Sequence, residues 1–581
     1  MSGSCRRSRR GRTGPGWRPG SPVPNWSSTA DPMNVRRPTT TPQIAPLPER
    51  TVVHMLRHGA DAYPDRPAVR DEVEALSYQE LHDEAARVGG GMHELGVGPG
   101  DPVLLMLDNS VDHVLSWFGV NWVGGLEVPI NTAAMPPQLA YIANDCRASV
   151  LVVEEAYAPR VLAVADRLRH VRHVVVRGDP AAAAGPSWQV HDLAGLRRHP
   201  GVPPVAQAPS DPCGIVYTSG TTGSPKGVLV THAQTYGRNG PLRPGSPQPG
   251  DVCLVVLPLY HVLGQCRVLY NGLIAGCSVV LQPGFSASRF WDVCRRFGVT
   301  YTCLVGVMAQ YLLAQPERAD DGDNPLQRIT LGTTIREIDE FRRRFHLPEA
   351  YVSYGLTEAG GVLVGPARGD GCGYLRDDFE AQLVDEHDLP VPDGEIGELV
   401  LRPREPWTTM LGYLNQPKET ARKWRNLWLH TGDLMHRCED GRYVFHGRRS
   451  ESIRHKGENI SPTSIEAELV RHPAVAECAA VGIRDGDGAD EEILVAVVPA
   501  PGMSVEPIGL IEHLAAQLPA FAVPRYVRVT DQLPRTDSTR RIQRTQLRDL
   551  GTRDAWDRVA AGVLVDRSGA VHTTQQSEGR A

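Results

Sequence analysis

Lysine is scarce in this chain of 581 residues. It occurs at only four positions, Lys226, Lys418, Lys423 and Lys456, although lysine and arginine together number 61. The chain therefore uses arginine almost wherever it needs a cationic side chain. A strong excess of positive charge is also missing, because 67 acidic residues bring the formal net charge to −6. This balance gives no reason to expect nucleic acid as the main ligand.

Cysteine pairs and long apolar runs are missing as well. The 11 cysteines occur singly, without a Cys-x-x-Cys pair or a Cys/His cluster. This pattern is typical of a reduced, cytoplasmic protein and argues against a zinc site. The most apolar region, residues 252–281, is interrupted by His261, Arg267 and Asn271. We predict buried strands and a helix there rather than a membrane span.

The first 45 residues are rich in arginine, glycine, proline and serine, with no acidic residue before Asp31. We predict a disordered basic leader over residues 1–45. A nucleic-acid arm would need interleaved aromatic residues, and a twin-arginine export signal would need an apolar segment after Arg9-Arg10. A misplaced start, with Met33 as the true first residue, is a further interpretation.

Apolar helices and strands alternate from about Thr51. A helix with apolar residues at helical spacing follows Leu76, and an apolar strand covers residues 102–107. The alternation predicts an α/β fold, and the length predicts more than one domain. We expect a large domain of mixed, mainly parallel sheets flanked by helices over residues 46–450. A small mobile α/β domain follows over 451–551, and a flexible tail over 552–581.

Residues 217–228, Tyr-Thr-Ser-Gly-Thr-Thr-Gly-Ser-Pro-Lys-Gly-Val, combine glycines, hydroxyl side chains and Lys226 directly after an apolar strand. Glycines let backbone N–H groups approach a ligand closely, hydroxyls add donors, and lysine adds a point charge. The pattern predicts a polyphosphate site in which an ammonium rather than a guanidinium is needed. It lacks the register of the P-loop of kinases and GTPases. A plain Ser/Thr/Gly turn is the alternative interpretation.

This stretch resembles the signature loop of the adenylate-forming superfamily, which includes acyl-CoA synthetases, peptide-synthetase adenylation domains and luciferases. Five further segments are similar to motifs of that family and occur in the same order: residues 257–264, 353–358, 429–434, 447–448 and 454–462. Together the resemblance covers residues 51–550. An alternative interpretation of His261 is a histidine packed in the core. For residues 353–358 the alternative interpretation is a simple turn after a strand.

The resemblance implies a role for each motif residue. His261 would line the acyl pocket and orient the substrate carboxylate. Tyr354 would stack on adenine, Glu358 would bind Mg²⁺, and Asp433 and Arg448 would reach the ribose. It implies catalytic roles for Lys226, His261, Thr357 and Glu358, and a nucleotide site formed by Thr218, Ser219, Gly220, Thr221, Thr222, Gly223, Tyr354, Gly355, Asp433 and Arg448.

The small domain carries the remaining implied positions. Glu451 stands at the hinge, where most relatives have aspartate, and Gly457, Glu458 and Asn459 belong to the loop that borders the coenzyme A tunnel. The sequence from Gly457 is similar to that of the carnitine/crotonobetaine-CoA ligase-like branch.

Two segments depart from the family pattern. Residues 331–335 read Leu-Gly-Thr-Thr-Ile where most relatives have a Gly-Gly-Ala type turn. The lysine expected near the C-terminus is absent, and residues 533–541 read Leu-Pro-Arg-Thr-Asp-Ser-Thr-Arg-Arg. Either Arg540 or Arg541 serves as the catalytic cation, or adenylation is weakened or altered.

The resemblance implies an ATP- and Mg²⁺-dependent ligase that adenylates a small carboxylic acid and transfers the acyl group to coenzyme A. Two alternatives stay open. One is an adenylating ligase that does not use coenzyme A, and instead loads a carrier protein or forms an amide or N–N bond, for example by activating nitrite. The other is a catalytically weakened nucleotide-binding relative.

Overall fold

A computed structural model of the chain describes residues 44–185, 187–218, 225–238, 240–332, 335, 337–368, 371–449, 453–455, 458–460, 462–484, 491–534, 542, 544–566 and 569–573. Up to Arg448 the strands are β1 Pro67–Arg70, β2 Ala75–Ser77, β3 Pro102–Met106, β4 Leu126–Pro129, β5 Val150–Glu154, β6 His173–Arg177, β7 Gln189–Asp192, β8 Pro212–Thr218, β9 Lys226–Thr231, β10 Val252–Val255, β11 Ser278–Leu281, β12 Tyr301–Leu304, β13 Arg328–Leu331, β14 Glu349–Leu356, β15 Gly360–Pro366, β16 Gly371–Leu375, β17 Phe379–Val384, β18 Gly397–Pro403, β19 Gly412–Tyr413, β20 Leu429–Arg437 and β21 Tyr443–Arg448.

The helices of this large part are α1 Val52–Ala62, α2 Tyr78–Glu94, α3 Val111–Trp122, α4 Pro136–Asp145, α5 Ala158–Leu162, α6 Leu193–Arg197, α7 His232–Gly237, α8 Asn271–Ile274, α9 Phe290–Phe297, α10 Gly306–Leu313, α11 Ile338–Arg344 and α12 Pro417–Lys423. A π-helix, Leu263–Tyr270, precedes α8. The small part contains α13 Pro462–Leu469, α14 Pro507–Ala515 and α15 Arg544–Asp549, with β22 Ile453–His455, β23 Glu458–Ile460, β24 Val475–Arg484, β25 Glu491–Pro499, β26 Tyr526–Val529, β27 Trp556–Asp557, β28 Val563–Val565 and β29 Val571–Thr573.

Two sheets organise the large part. In the first, six strands pair in parallel in the order β1, β11, β10, β12, β13 and β14. Beyond β14 the sheet continues by antiparallel pairing in the order β15, β16, β21, β20, β18 and β17. In the second, β8, β4, β3, β5, β6 and β7 pair in parallel, while β9 and β19 extend it antiparallel. Each sheet thus has a parallel core and an antiparallel edge, and the predicted α/β class is confirmed.

Helices α1, α2 and α3 share one apolar core with both sheets. Leu105 of β3 and Val152 of β5 belong to this core, as do Val255 of β10 and Val279 of β11. Local sequence sets the start of α2 through a capping box, since the Ser77 hydroxyl accepts from the N–H of Glu80 and the Glu80 carboxylate accepts from the N–H of Ser77. The helix predicted after Leu76 is therefore confirmed.

The small part has its own core, in which β24, β25 and β26 pack against α13 and α14. Its hairpin β22–β23 is joined to β25, because the N–H of Arg454 donates to the Glu491 carboxylate at 3.2 Å.

The C-terminal segment corrects one expectation. A flexible tail was predicted from residue 552, but β27 pairs with β26, and β28 and β29 form a hairpin that ends at Thr573. Val565 and Val571 of this hairpin pack against the apolar core of the small part. Regular structure therefore extends beyond the predicted boundary, because the apolar residues of this segment have a core to cover. The predicted leader lies outside the described residues up to position 43.

None of the helices in the described ranges combines the length and the apolar character that a membrane crossing needs.

Candidate active site

Strands β8 and β9 hold the two ends of the predicted phosphate loop. Thr218 ends β8, Lys226 begins β9, and these two residues are paired in the antiparallel register. The Thr218 hydroxyl lies 3.5 Å from the carbonyl oxygen of Lys226. Ser219, Gly220, Thr221, Thr222 and Gly223 lie outside the described residues. The described ends fix where this loop begins and returns.

Lys226 is enclosed and ion-paired. It is 9% exposed, and its Nζ donates to Glu419 Oε2 at 2.7 Å. The hydrogen bond from Lys226 lowers the pKa of Glu419 below its usual value, with help from Arg422. The ammonium also lies 5.3 Å from the ring centroid of Tyr413, in cation–π range. The pocket around Lys226 is therefore built for a compact, charged ammonium.

Glu358, in the turn between β14 and β15, lies in the same neighbourhood. Its Oε1 accepts from the Tyr413 hydroxyl at 2.6 Å and lies 3.6 Å from Lys423 Nζ. Tyr413 is thus a direct link, because its ring faces Lys226 and its hydroxyl donates to Glu358. Helix α12 contributes both Glu419 and Lys423, four residues apart and so on one face. This helix therefore places one acidic and one basic side chain beside the two predicted catalytic residues.

Helix α7 supports the turn that carries Thr357 and Glu358. Gln234 Nε2 donates to the carbonyl oxygens of Thr357 at 3.1 Å and Glu358 at 3.0 Å, and Arg238 Nη1 donates to that of Thr357 at 2.8 Å. Gln234 and Arg238 are almost fully buried. Since α7 directly follows β9, it joins the Lys226 strand to the Glu358 turn.

The residues predicted to bind adenine and ribose also meet. The Tyr354 hydroxyl donates to Asp433 Oδ2 at 2.5 Å, and Asp433 is 1% exposed. Asp433 on β20 is paired with Arg448 on β21 in the sheet register. Gly355 has a packing reason for being glycine, because an added Cβ would collide with the carbonyl oxygen of Gly360. The Tyr354 hydroxyl and the strand pairing of Asp433 with Arg448 therefore bring these three residues into one region.

His261 contacts the small part of the molecule. Its Nε2 lies 2.8 Å from Glu458 Oε1, with side-chain exposures of 44% and 23% for the two residues. Burial alone would lower the pKa of His261, but the Glu458 carboxylate overcomes it and raises that pKa. Burial would likewise raise the pKa of Glu458, and His261 lowers it. The two residues therefore form an ion pair that joins the histidine segment before the π-helix to strand β23.

Several predicted positions stay untested by this geometry. Glu451, Gly457, Arg540 and Arg541 lie outside the described residues, and for Arg448 and Asn459 only the backbone is described.

Sequence reasoning missed Tyr413, Glu419 and Lys423. The scarcity of lysine could have indicated Lys423, because it is one of only four lysines in the chain. For Tyr413 and Glu419 no pattern in the sequence predicts a contact with residues about 55 or 193 positions away.

Magnesium has one predicted carboxylate ligand in this site. Glu358 is the acidic side chain predicted for it, and the described part of the chain contains no cluster of three or more His, Cys, Asp or Glu residues that could hold a metal. A single carboxylate fits Mg²⁺, because this ion is usually bound by one or two carboxylates together with substrate phosphates. The ammonium of Lys423, 3.6 Å from Glu358, is a second positive charge at the same carboxylate.

Comparison with known proteins decides the family. The sequence model of the family of AMP-binding enzymes matches residues 56–414, which is more than half of the chain. The sequence model of the AMP-binding enzyme C-terminal domain matches residues 464–540. The chain belongs to the AMP-binding enzyme family. Lys226, Glu358 and His261 all lie within the first match, and Glu458 lies just before the second.

Known relatives match most of the length of this AMP-binding enzyme. The crotonobetaine/carnitine–CoA ligase of Escherichia coli O7:K1 is 30% identical over 505 residues, which span 84% of this chain and 96% of that protein. The structure of o-succinylbenzoate CoA synthetase from Bacillus subtilis has a TM-score of 0.74 at 24% identity and covers 86% of this chain and 98% of its own. The amide bond synthetase McbA from Marinactinospora thermotolerans has a TM-score of 0.74 at 22% identity, covering 86% and 99%. The predicted adenylate-forming family, fold class and ligase enzyme class are thereby confirmed.

Proposed function

We propose that this AMP-binding enzyme activates a small carboxylic acid with ATP and then transfers the acyl group to coenzyme A. In the first step the substrate carboxylate attacks the α-phosphorus of ATP and pyrophosphate leaves. In the second step the thiolate of coenzyme A attacks the acyl carbon and AMP leaves. Both steps conserve every atom, and neither needs an oxidant or a reductant.

For the first step, Lys226 would neutralise phosphate charge and the Tyr354–Asp433 region would hold the nucleoside. Charge neutralisation and positioning are the main means by which proteins accelerate phosphoryl chemistry. Mg²⁺ held by Glu358 would supply further positive charge on the phosphates. Tyr413 orients the Glu358 carboxylate through its hydroxyl and lies under Lys226, so it would keep both groups in place.

The ion pair between His261 and Glu458 carries the proposal of coenzyme A as acceptor. His261 belongs to the segment predicted to line the acyl pocket, and Glu458 to the loop predicted to border the coenzyme A tunnel. Their contact supports an arrangement in which the small domain supplies residues to the second step. The 30% identity with a crotonobetaine/carnitine–CoA ligase favours the same acceptor.

One assay tests the proposal. The enzyme is incubated with ATP, Mg²⁺ and a panel of carboxylic acids, with and without coenzyme A, while pyrophosphate and thioester are measured. Coenzyme A-dependent thioester formation is the expected result. Pyrophosphate without thioester would contradict coenzyme A as acceptor and favour an amide-forming or carrier-loading ligase, a possibility that the similarity to an amide bond synthetase raises. ATP binding without pyrophosphate release would contradict adenylation itself.

Replacing Glu458 with glutamine is expected to lower thioester formation about tenfold while leaving pyrophosphate release unchanged. The pair is partly exposed, so its loss costs less than that of a fully buried pair. The raised pKa of His261 means that the ion pair is complete below the usual histidine range and is lost as the pH rises through the raised pKa. The thioester step of the wild type should therefore decline on the alkaline side, relative to the first step.

The two half-reactions are measured separately across pH for wild type, Glu458→Gln and the control Glu506→Gln, whose side chain is exposed on the same part of the chain. The alkaline decline should be absent in Glu458→Gln. An equal loss in both half-reactions would show that the ion pair does not act specifically in acyl transfer.

Arg540 or Arg541 is proposed to replace the missing C-terminal lysine. We expect one of the single variants Arg540→Ala and Arg541→Ala to lower pyrophosphate release at least about tenfold, because a removed transition-state cation typically costs more than this. The exposed Arg553→Ala is the control. Unchanged release in both variants would refute this assignment.

A further inference from the structure

Glu398 on β18 is a buried carboxylate that none of the motifs includes. It is 3% exposed, and its two oxygens meet four different groups. Oε1 accepts from the N–H of Gly432 at 2.9 Å. Oε2 accepts from Arg449 Nη1 at 2.6 Å and from Arg425 Nη2 at 3.3 Å, and it lies 3.2 Å from His430 Nδ1.

The ionised form of the Glu398 carboxyl group is strongly favoured. Burial would raise its pKa, but His430, the N–H of Gly432 and Arg425 together lower it to about 2. The carboxylate is therefore ionised over the whole range in which enzymes are assayed. A buried anion with this many partners is costly to disrupt, because removing its charge would take the acceptor from the N–H of Gly432 and the counter-charge from Arg449, although Arg425 would stay paired with Asp388.

These contacts join two segments that matter for nucleotide binding. Gly432 immediately precedes Asp433, and Arg449 immediately follows Arg448. The N–H of Arg449 also donates to the carbonyl oxygen of Gly432 at 2.7 Å. Gly432 has a φ of 81°, a conformation that glycine adopts readily, and Glu398 holds the N–H of this turn. One carboxylate thus holds the backbone N–H that precedes Asp433 and the side chain that follows Arg448.

Arg449 also stands two residues before the predicted hinge at Glu451. Its side chain is 37% exposed, whereas that of Glu398 is 3% exposed. The ion pair therefore holds the end of β21 to the interior of the large part.

We propose that Glu398 is a positioning residue for the ribose of ATP, acting through the Gly432 turn and Arg449 on Asp433 and Arg448. This inference rests on the proposed function, because it takes Asp433 and Arg448 to bind the ribose hydroxyls. Glu398 itself does not touch the nucleotide in this scheme. A purely structural role would weaken every ligand alike, whereas a positioning role concerns the two hydroxyl groups of the ribose.

The test compares ATP with 2′,3′-dideoxy-ATP, which lacks both ribose hydroxyls. Dissociation constants are measured by calorimetry for wild type, Glu398→Gln and Arg449→Met, with the exposed Glu395→Gln as the matched control. We expect Glu398→Gln to weaken ATP binding about tenfold or more, as expected for lost hydrogen bonds to a charged group, and to leave dideoxy-ATP binding unchanged. The preference for ATP over dideoxy-ATP should thus fall by the same factor.

Arg449→Met keeps the experiment decisive if Glu398→Gln does not fold. The Arg449 side chain is partly exposed, and Glu398 retains its contacts with Arg425 and His430 in this variant. We therefore expect Arg449→Met to fold and to show a smaller loss of the preference for ATP over dideoxy-ATP. Equal weakening of both nucleotides, or no weakening, would overturn the inference. Failure of the proposed function would appear separately, as absence of pyrophosphate release from the wild-type enzyme with every acid tested.

Discussion

Replacing Lys226 with alanine is expected to lower the rate of pyrophosphate release by about 10²- to 10³-fold, the usual effect of removing one preorganised group that stabilises developing charge. Lys226 is 9% exposed and lies between Glu419 and the Tyr413 ring, so no other described lysine can take its position. The loss should appear mainly in kcat, because the charge on the phosphates is redistributed as pyrophosphate departs.

Lys226→Arg should not rescue this activity, although the chain uses arginine almost everywhere else. The guanidinium is planar and longer, and a misplacement of about 1 Å can cost about a hundredfold in rate. Lys418→Ala is the matched control, because this lysine is exposed and neighbours Glu419. Thermal unfolding should be nearly unchanged in Lys226→Ala, since Glu419 keeps its bond to Arg422. Full activity in Lys226→Arg would show that any cation suffices there.

The fold class could be predicted from local sequence patterns, because the spacing of apolar residues reflects which side chains are buried. Alternating apolar strands and helices predicted an α/β fold, and Ser77 and Glu80 set the start of α2 through a capping box. The tail was predicted incorrectly for a physical reason. Val565 and Val571 carry no strong periodicity, and they order because the core of the small part is available to them. Tertiary contacts of this kind cannot be seen in a short segment.

The residues of the candidate site also differ in whether the sequence alone could predict them. Lys226, Tyr354, Glu358 and Asp433 lie in motifs that could be found in sequence, because the chemistry of a nucleotide site restricts the residues there. Tyr413 joins Lys226 to Glu358 only because β19 pairs with β9, a pairing between residues far apart in the chain. None of the sequence motifs described above includes Glu398, and its four contacts come from segments that meet only after folding.

Lys423 is an intermediate case. The scarcity of lysine could have indicated this residue, but its place 3.6 Å from Glu358 was found only in the structure. Two cations, Lys423 and the predicted Mg²⁺, would therefore share one carboxylate. This arrangement leads directly to a test of the role of Glu358.

Glu358→Gln is expected to lower pyrophosphate release by about a hundredfold and to raise the Mg²⁺ concentration that gives half-maximal activity. The amide keeps the size of the side chain and can still accept from the Tyr413 hydroxyl, so the variant removes mainly the charge. Mg²⁺-dependent ATP binding, followed by calorimetry, gives a readout that does not depend on turnover. Affinity for ATP in the absence of divalent cations should change little.

Tyr413→Phe separates the charge of Glu358 from its orientation, because the phenyl ring stays beside Lys226 while the donor to Glu358 is lost. Its effect should be about tenfold or less, in line with one hydrogen bond to a charged group. Lys423→Met should shift the Mg²⁺ requirement in the direction opposite to Glu358→Gln, since it removes a positive charge 3.6 Å from the carboxylate. A Glu358→Gln enzyme with an unaltered Mg²⁺ requirement would show that this carboxylate does not hold the metal. The Lys423→Met result would then measure only the electrostatic effect of the ammonium on Glu358.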